Sequence, residues 1–232
     1  ETTNYHDLVH RWRLIKKNPT QAVSEPVTPI TWWIENSTPL EWRDVIKEGV
    51  LAWNEAFEKA GFKNALVVKI QPDDATWDAG DIRYNVLRWT SSPNPPFGGY
   101  GPSMTNPKTG EIIGADIMLE FIHFTYRIFY DKLYSDASKN MALETSALAA
   151  DSIKNIPVYC SSGSLMHENI LLGRAFLEIS DASVDELKKI TREGMKALIM
   201  HEVGHTLGLN HNMKASVVYS PEPVSYTHLT LP

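Results

Sequence analysis

The chain has 232 residues, enough for one large domain or two small ones with a substantial hydrophobic core. Its 22 Lys and Arg residues against 28 Asp and Glu residues give a net charge of −6, which argues against a sequence-independent nucleic-acid binder because such proteins carry a clustered basic excess. Hydrophobic residues make up 43% and charged residues 22%, as in globular proteins, and no stretch approaches the ~18 uncharged apolar residues of a membrane-spanning helix.

The first predicted elements are two strands joined by a helix. Residues 29–35 and 65–70 are rich in β-branched and other apolar side chains and predict strands. Between them, apolar side chains recur at helical spacing as far as Gly61, which ends the helix. The start of this helix is marked by a predicted N-cap, a proline in the first helical position and a capping-box glutamate, which are Thr38, Pro39 and Glu41. This order favours a right-handed crossover and a partly parallel sheet.

Two more strands are predicted in the middle of the chain, at residues 82–90 and 111–119. Between them, residues 91–110 contain five Pro and four Gly and predict a loop. Residues 121–174 have a mainly helical pattern.

The last predicted helix has the clearest signals. Ser183 is its predicted N-cap, Glu186 completes a capping box, and an apolar face runs towards Gly208. The helix ends in the pattern HEVGHTLGLNH, which extends from His201 to His211.

This pattern predicts a catalytic zinc site. His201 and His205 are four residues apart, so they project from one face of the helix and can bind one zinc ion. Gly208 lets the chain leave the helix sharply, so that His211 can return as the third ligand. Three imidazoles leave the fourth position open for water, as in catalytic rather than structural zinc sites. Glu202 lies beside that water without being a ligand and is the predicted catalytic base.

The extended pattern is a strong signal. Shuffled chains of this composition contain the short pattern HExxH in roughly 2% of cases, and the extended pattern in about four in a hundred thousand. The alternative is a surface helix with three solvated histidines.

The eleven residues match the metzincin zinc-peptidase pattern HExxHxxGxxH. Further stretches resemble the bacterial EcxA-like zinc-dependent metalloproteases, which carry a Met-zincin domain. The stretches that carry this resemblance are Arg11–Leu14, Glu48–Asn54, Gln71–Ala75, Asp81–Asn85 and Gly101–Ser103. The resemblance extends from about Arg11 to Pro221.

This resemblance implies an α+β, zincin-like fold: a mixed, mostly parallel twisted sheet with a backing helix and an active-site helix. It also implies an edge strand along the substrate cleft, for which residues 111–119 are the candidate. The family further implies a secreted, periplasmic or cell-envelope protein of a bacterium.

One feature of the family is missing from the expected position. Metzincins carry a methionine-containing turn beneath the zinc, well downstream of the third histidine. Met213 is too close to His211 to lie under the metal, and Ser216–Tyr219 resembles the turn but has no Met. We therefore expect a metzincin-like catalytic domain at residues 29–223 whose C-terminal subdomain is truncated.

The two ends of the chain are interpreted separately from the predicted catalytic domain. Residues 1–28 begin with Glu and are interpreted as a connector from a missing upstream region. Residues 224–232 match, nine of nine, the translation of a DNA string that resembles a transposase adapter. We interpret them as a non-native tail, and the alternative is a natural flexible tail.

The predicted function is that of a zinc-dependent endopeptidase. Zn²⁺ is held by His201, His205 and His211, and Glu202 activates the water that hydrolyses the peptide bond. The predicted partner is a protein or peptide substrate, with no nucleic acid and no membrane span. The alternative is a non-catalytic zinc-binding or protein-binding module that retains the metzincin fold, and a third possibility is a gluzincin-like site that uses Glu222 as a ligand.

Other side chains have a structural interpretation that we favour over a functional one. We expect His123 and His167 to be structural or solvated rather than ligands, and Cys160 to be a passive thiol. The tryptophans expected in the core rather than on a sugar-binding platform are Trp32, Trp33, Trp42 and Trp53. The basic residues expected to be solvated are Arg11, Arg13, Lys16 and Lys17. The acidic residues expected in a polar loop rather than a calcium site are Asp73, Asp74, Asp78 and Asp81.

Overall fold

The structure is a computed structural model that describes residues 8–91, 99–120, 172–173 and 183–211. The strands of this part are β1 (Ile30–Ile34), β2 (Leu66–Ile70), β3 (Asn85–Thr90), β4 (Gly99–Tyr100), β5 (Ser103–Thr105), β6 (Ile112–Ala115) and β7 (Ile117–Glu120). The helices are α1 (Leu40–Leu51), α2 (Asn54–Lys59) and α3 (Val184–Thr206). Among the described residues, no helix has the length and apolar character needed to cross a membrane.

The main sheet has five strands in the order β2-β1-β3-β7-β4. β1 pairs in parallel with both β2 and β3, as expected when helices connect successive strands of a sheet. Between β3 and β7, Val86 contacts Asp116 and Thr90 contacts Leu119, so these two chains run in the same direction. The predicted mixed α+β fold with a mostly parallel sheet is confirmed.

The segment predicted as a loop contains two short strands, so that part of the loop prediction was wrong. β4 joins the main sheet, and β5 pairs antiparallel with β6 in a separate two-stranded sheet. The turn between β5 and β6 is closed by the Gly110 amide, which donates to the carbonyl of Asn106 at 2.8 Å. Pairing with β7 sets β4 and pairing with β6 sets β5, and the Pro- and Gly-rich sequence of the segment carries no signal for either.

The single strand predicted at residues 111–119 is broken at Asp116. The backbone amide of Asp116 donates to the carbonyl of Pro102 at 3.1 Å, and its carboxylate accepts a hydrogen bond from the amide of Val86 at 3.1 Å. β6 before this point and β7 after it therefore belong to different sheets. The prediction of an edge strand was also wrong for β7, because β7 lies between β3 and β4.

The helix predicted after β1 begins one residue later than expected and is divided in two. Pro39 occupies the N-cap position of α1 without a side-chain cap bond, so Thr38 is not the N-cap; its amide instead closes a turn onto Glu35. Between α1 and α2 the amide of Trp53 bonds to the carbonyl of Val50, three rather than four residues back. Gly61 ends the region with φ of 90°, as predicted.

The core contains the contact between the backing helix α1 and the active-site helix α3. A Cβ atom on Gly49 would lie 2.7 Å from the Cβ atom of Ile199, so the two helices meet where α1 has no side chain. The buried indole of Trp53 donates a hydrogen bond to the carbonyl of Met200 at 2.9 Å. The buried apolar residues of the core include Trp32, Val45, Ile46, Val50, Leu198 and Val203.

The tryptophans predicted in the core divide into two groups. Trp32 and Trp53 are buried, as predicted. Trp33 and Trp42 are only half-buried, and the ring of Trp33 packs edge-on against Trp77 and Tyr84.

The described residues form two compact units. The first unit contains the described residues before Thr90, the segment Gly101–Met118 and the described residues from Met195 onward. The other described residues form the second unit. Within the first unit, the amide of Val27 bonds to the carbonyl of Ile15 and the amide of Ser24 to that of Gly61. The described residues 8–28 belong to this unit, and their role as a connector stays a prediction.

Several predictions lie outside the described residues. They concern the helical pattern of residues 121–174, the tail at residues 224–232, the segment Ser216–Tyr219, and the side chains of His123, Cys160, His167, Met213 and Glu222.

Candidate metal centre and active site

The start of α3 has the hydrogen bonds of a capping box, as predicted. The amide of Glu186 donates to Oγ of Ser183 at 3.3 Å, and the amide of Ser183 donates to Oε2 of Glu186 at 2.8 Å. These bonds to Ser183 lower the pKa of the Glu186 carboxyl from its ordinary value.

The three predicted histidine ligands converge at the other end of α3. The Nε2 atom of His201 lies 3.1 Å from Nε2 of His205 and 3.1 Å from Nε2 of His211. Zinc–nitrogen bonds of about 2.0–2.1 Å in tetrahedral geometry require nitrogen atoms about 3.3 Å apart. The two distances that involve His201 are close to this value, and all three ligand atoms lie within 4.8 Å of one another, so the three histidines could hold one zinc ion. In the described part of the chain, no other group of three His, Cys, Asp or Glu side chains is close enough to hold a metal.

The protonation of His205 suits metal binding. Its Nδ1 atom lies 3.0 Å from the carbonyl oxygen of Leu209, which can only accept a hydrogen bond. Nδ1 must therefore carry the proton, and in the neutral ring this leaves the lone pair of Nε2 directed at the other two histidines. Burial, with a smaller effect of the charge on His205, lowers the pKa of His211 and favours its neutral, ligating form.

The turn after α3 brings His211 back to the helix. Gly208 has φ of 94°, the left-handed conformation that glycine adopts most readily. The amide of Leu209 donates to the carbonyl of Gly204, and the amide of Gly208 donates to that of His205, at 3.1 and 3.0 Å. These two bonds define a Schellman motif, which reverses the chain so that the third histidine lies beside the first.

Glu202, the predicted base, is buried beside these histidines with 1% of its surface exposed. Neither carboxylate oxygen has a hydrogen-bond partner among the described residues. The amide of Gly101 faces the carboxylate but does not reach hydrogen-bond geometry with either oxygen. Burial raises the pKa of Glu202 to about 7, against a smaller lowering by the charge of His205. A buried carboxyl that titrates near neutral pH, and that has no hydrogen-bond partner among the described residues, is suited to accept and release a proton.

A backbone contact covers the helix at Glu202. A Cβ atom on Gly101 would lie 2.8 Å from the carbonyl oxygen of Glu202. The next residue, Pro102, is held by the amide of Asp116. Sequence reasoning found Gly101 only within a stretch of family resemblance and assigned it no role, because close backbone approach leaves no signal except a glycine.

Comparison with known proteins agrees with this geometry. The Met-zincin family model matches residues 183–230, which include α3, the three histidines and Gly208. The match extends into residues 224–230, and the adapter origin of that tail stays a prediction. Comparison with curated proteins and with solved structures gives no significant match. The family match and the converging histidines are both consistent with a metzincin-like domain.

Proposed function

We propose that this protein is a zinc-dependent endopeptidase. One observation carries the proposal: the Nε2 atoms of His205 and His211 each lie 3.1 Å from Nε2 of His201, next to the buried carboxylate of Glu202. This carboxylate has no hydrogen-bond partner among the described residues. A structural zinc site would use a fourth side chain, and no fourth ligand belongs to the described cluster.

The residues have distinct parts in this proposal. A zinc ion bound at the site supplies Lewis-acid polarisation of the scissile carbonyl and makes water a better nucleophile at neutral pH. His201, His205 and His211 would hold it through their Nε2 atoms. The carboxylate of Glu202 accepts a proton from the attacking water and then delivers that proton to the departing amine.

The test is the substitution Glu202→Gln in the full chain. This change keeps the shape of the side chain and removes its basicity, so we expect one bound zinc per chain and a loss of peptide hydrolysis of about 10²- to 10⁴-fold. The matched control is Glu193→Gln, on the same helix with an exposed side chain, which should retain both zinc and activity. Cleavage of an unstructured protein such as casein and metal analysis of the purified protein give the two readouts.

The result also separates the two candidate functions. Wild-type activity in Glu202→Gln would rule out Glu202 as the base. A zinc-loaded wild-type protein that cleaves no peptide in a diverse library would instead favour a non-catalytic zinc-binding module.

On the family resemblance alone, we also propose that the protein is bacterial and acts in the envelope or outside the cell. Fractionation of the source organism, with detection of this protein by antibody, tests the location. Recovery only from the cytoplasm would contradict it.

A further inference from the structure

Five residues near the start of the chain, Leu8–Trp12, lie across the end of the active-site helix; we name them the N-terminal strap. Their backbone is anchored next to β6. The amide of Arg11 donates to the carbonyl of Gly110 at 3.1 Å, and the carbonyl of Arg11 accepts from the amide of Ile112 at 2.9 Å. The strap is therefore fixed to the same compact unit that holds the three histidines.

The strap contacts the turn that leads to the third histidine at two points. The indole N–H of Trp12 donates a hydrogen bond to the carbonyl of Thr206, the last residue of α3, at 2.9 Å. The carbonyl of His10 packs against Gly208, where any Cβ atom would collide with it. Glycine at position 208 is thus required both for its positive φ and for the passage of the strap.

The bond from Trp12 satisfies a carbonyl that the helix leaves open. The last four carbonyls of a helix lack partners within the helix. The Schellman motif satisfies the carbonyls of Gly204 and His205. The carbonyl of Thr206 lies next in the chain, and Trp12 supplies its donor from 194 residues away.

We propose that Trp12 is a positioning residue for the metal centre. By holding the carbonyl of Thr206, it restrains residues 206–211, so that His211 stays beside His201. The part of this proposal that concerns metal affinity rests on the proposed zinc site, whereas the part that concerns the turn does not.

The first experiment needs no metal. Trp12→Phe removes the donor and keeps an aromatic ring, and hydrogen exchange is followed in the metal-free full chain. We expect the amides of Leu207–Leu209 to exchange about fivefold faster, the factor that corresponds to one hydrogen bond of ~1 kcal/mol. The control is Trp77→Phe, a half-buried indole stacked on Tyr84, which should leave this exchange unchanged. Equal exchange in wild type and Trp12→Phe would overturn the proposal.

The second experiment measures zinc affinity by competition with a chelator. Trp12→Phe should weaken zinc binding about fivefold. In a His211→Ala background the same change should have no effect, because the ligand that Trp12 positions is gone. A fivefold weakening in both backgrounds, or a lower melting temperature with unchanged affinity, would show a merely structural role and overturn the proposal.

The two experiments also separate this proposal from the proposed function. If the wild-type chain binds no zinc while the exchange effect of Trp12→Phe is observed, the zinc site is contradicted and the restraint on the turn is supported.

Discussion

The carbonyl oxygen of Glu202 lies 2.8 Å from the point where a Cβ atom of Gly101 would stand. The loop after β4 thus rests on the active-site helix at the residue proposed as the base, with backbone against backbone. Neither side of this contact can yield by a rotamer change, because the atom that Gly101 would meet belongs to the main chain of α3.

We therefore predict that Gly101→Ala destabilises the protein by about 1–3 kcal/mol, the usual penalty for adding a methyl group to a packed contact. The loop must move away from α3 to make room, so peptide hydrolysis should fall as well. Gly80→Ala is the control, because its nearest neighbour is a carboxylate oxygen of Asp78 at 3.2 Å, the end of a flexible, exposed side chain. Chemical denaturation of both variants checks the prediction, and equal stabilities would contradict it.

A second prediction concerns the energetic cost of the base. A buried carboxylate without hydrogen bonds loses its hydration and gains no partner, so Glu202 should destabilise the metal-free fold. We expect Glu202→Met to raise the free energy of unfolding by about 1–3 kcal/mol in the presence of a chelator. Glu193→Met, at an exposed position of the same helix, should change it by less than about 0.5 kcal/mol. A less stable Glu202→Met protein would mean that the carboxylate has a structural partner after all.

The candidate site could be predicted largely because its residues lie close together in the amino-acid sequence. The capping box of Ser183 and Glu186 spans one turn, and the spacing of His201 and His205 is set by helix geometry alone. Gly208 carries its own signal, since the turn after the helix requires a positive φ there. The position of His211 follows from that turn.

The remaining features depend on contacts that local residue types do not reveal. β5 exists because it pairs with β6, although its local sequence reads as a loop. Thr38 has the residue type of an N-cap, but the helix begins one residue later and Pro39 occupies the N-cap position. Trp12 bonds to a carbonyl 194 residues away, and no local pattern can identify such a partner.

A third prediction tests the contact between the two helices. A Cβ atom on Gly49 would lie 2.7 Å from both Cβ and Cγ2 of Ile199, in the core. Although Ala favours a helix over Gly by about 1 kcal/mol, Gly49→Ala must separate α1 from α3. We expect a net loss of about 1–3 kcal/mol in the free energy of unfolding. Lys47→Ala, at an exposed position of α1, is the control. A Gly49→Ala protein more stable than wild type would show that the helices do not meet at this point.

The last prediction uses the pH dependence of stability at Asp116. Burial raises the pKa of this carboxyl above its ordinary value of 3.8, against smaller lowering effects of the Val86 amide and the Arg88 charge. The folded state then binds the proton more tightly than the unfolded state. The stabilisation is complete below pH 3.8 and is lost as the pH rises through the raised pKa.

Asp116→Asn keeps an oxygen that can accept the hydrogen bond from Val86 and removes the titration. The free energy of unfolding of the variant, minus that of wild type, should therefore increase as the pH rises above 3.8 and then level off.

Asp81→Asn provides a control of opposite sign, because hydrogen bonds from Arg83 lower the pKa of Asp81 to about 2. Its carboxylate stabilises the fold above pH 3.8, and that contribution is lost as the pH falls towards 2. Denaturant unfolding of the three proteins across this range measures both slopes. Parallel curves for wild type and Asp116→Asn would contradict the prediction, because they would mean that the hydrogen bond from the Val86 amide and the Arg88 charge cancel the effect of burial on the pKa of Asp116.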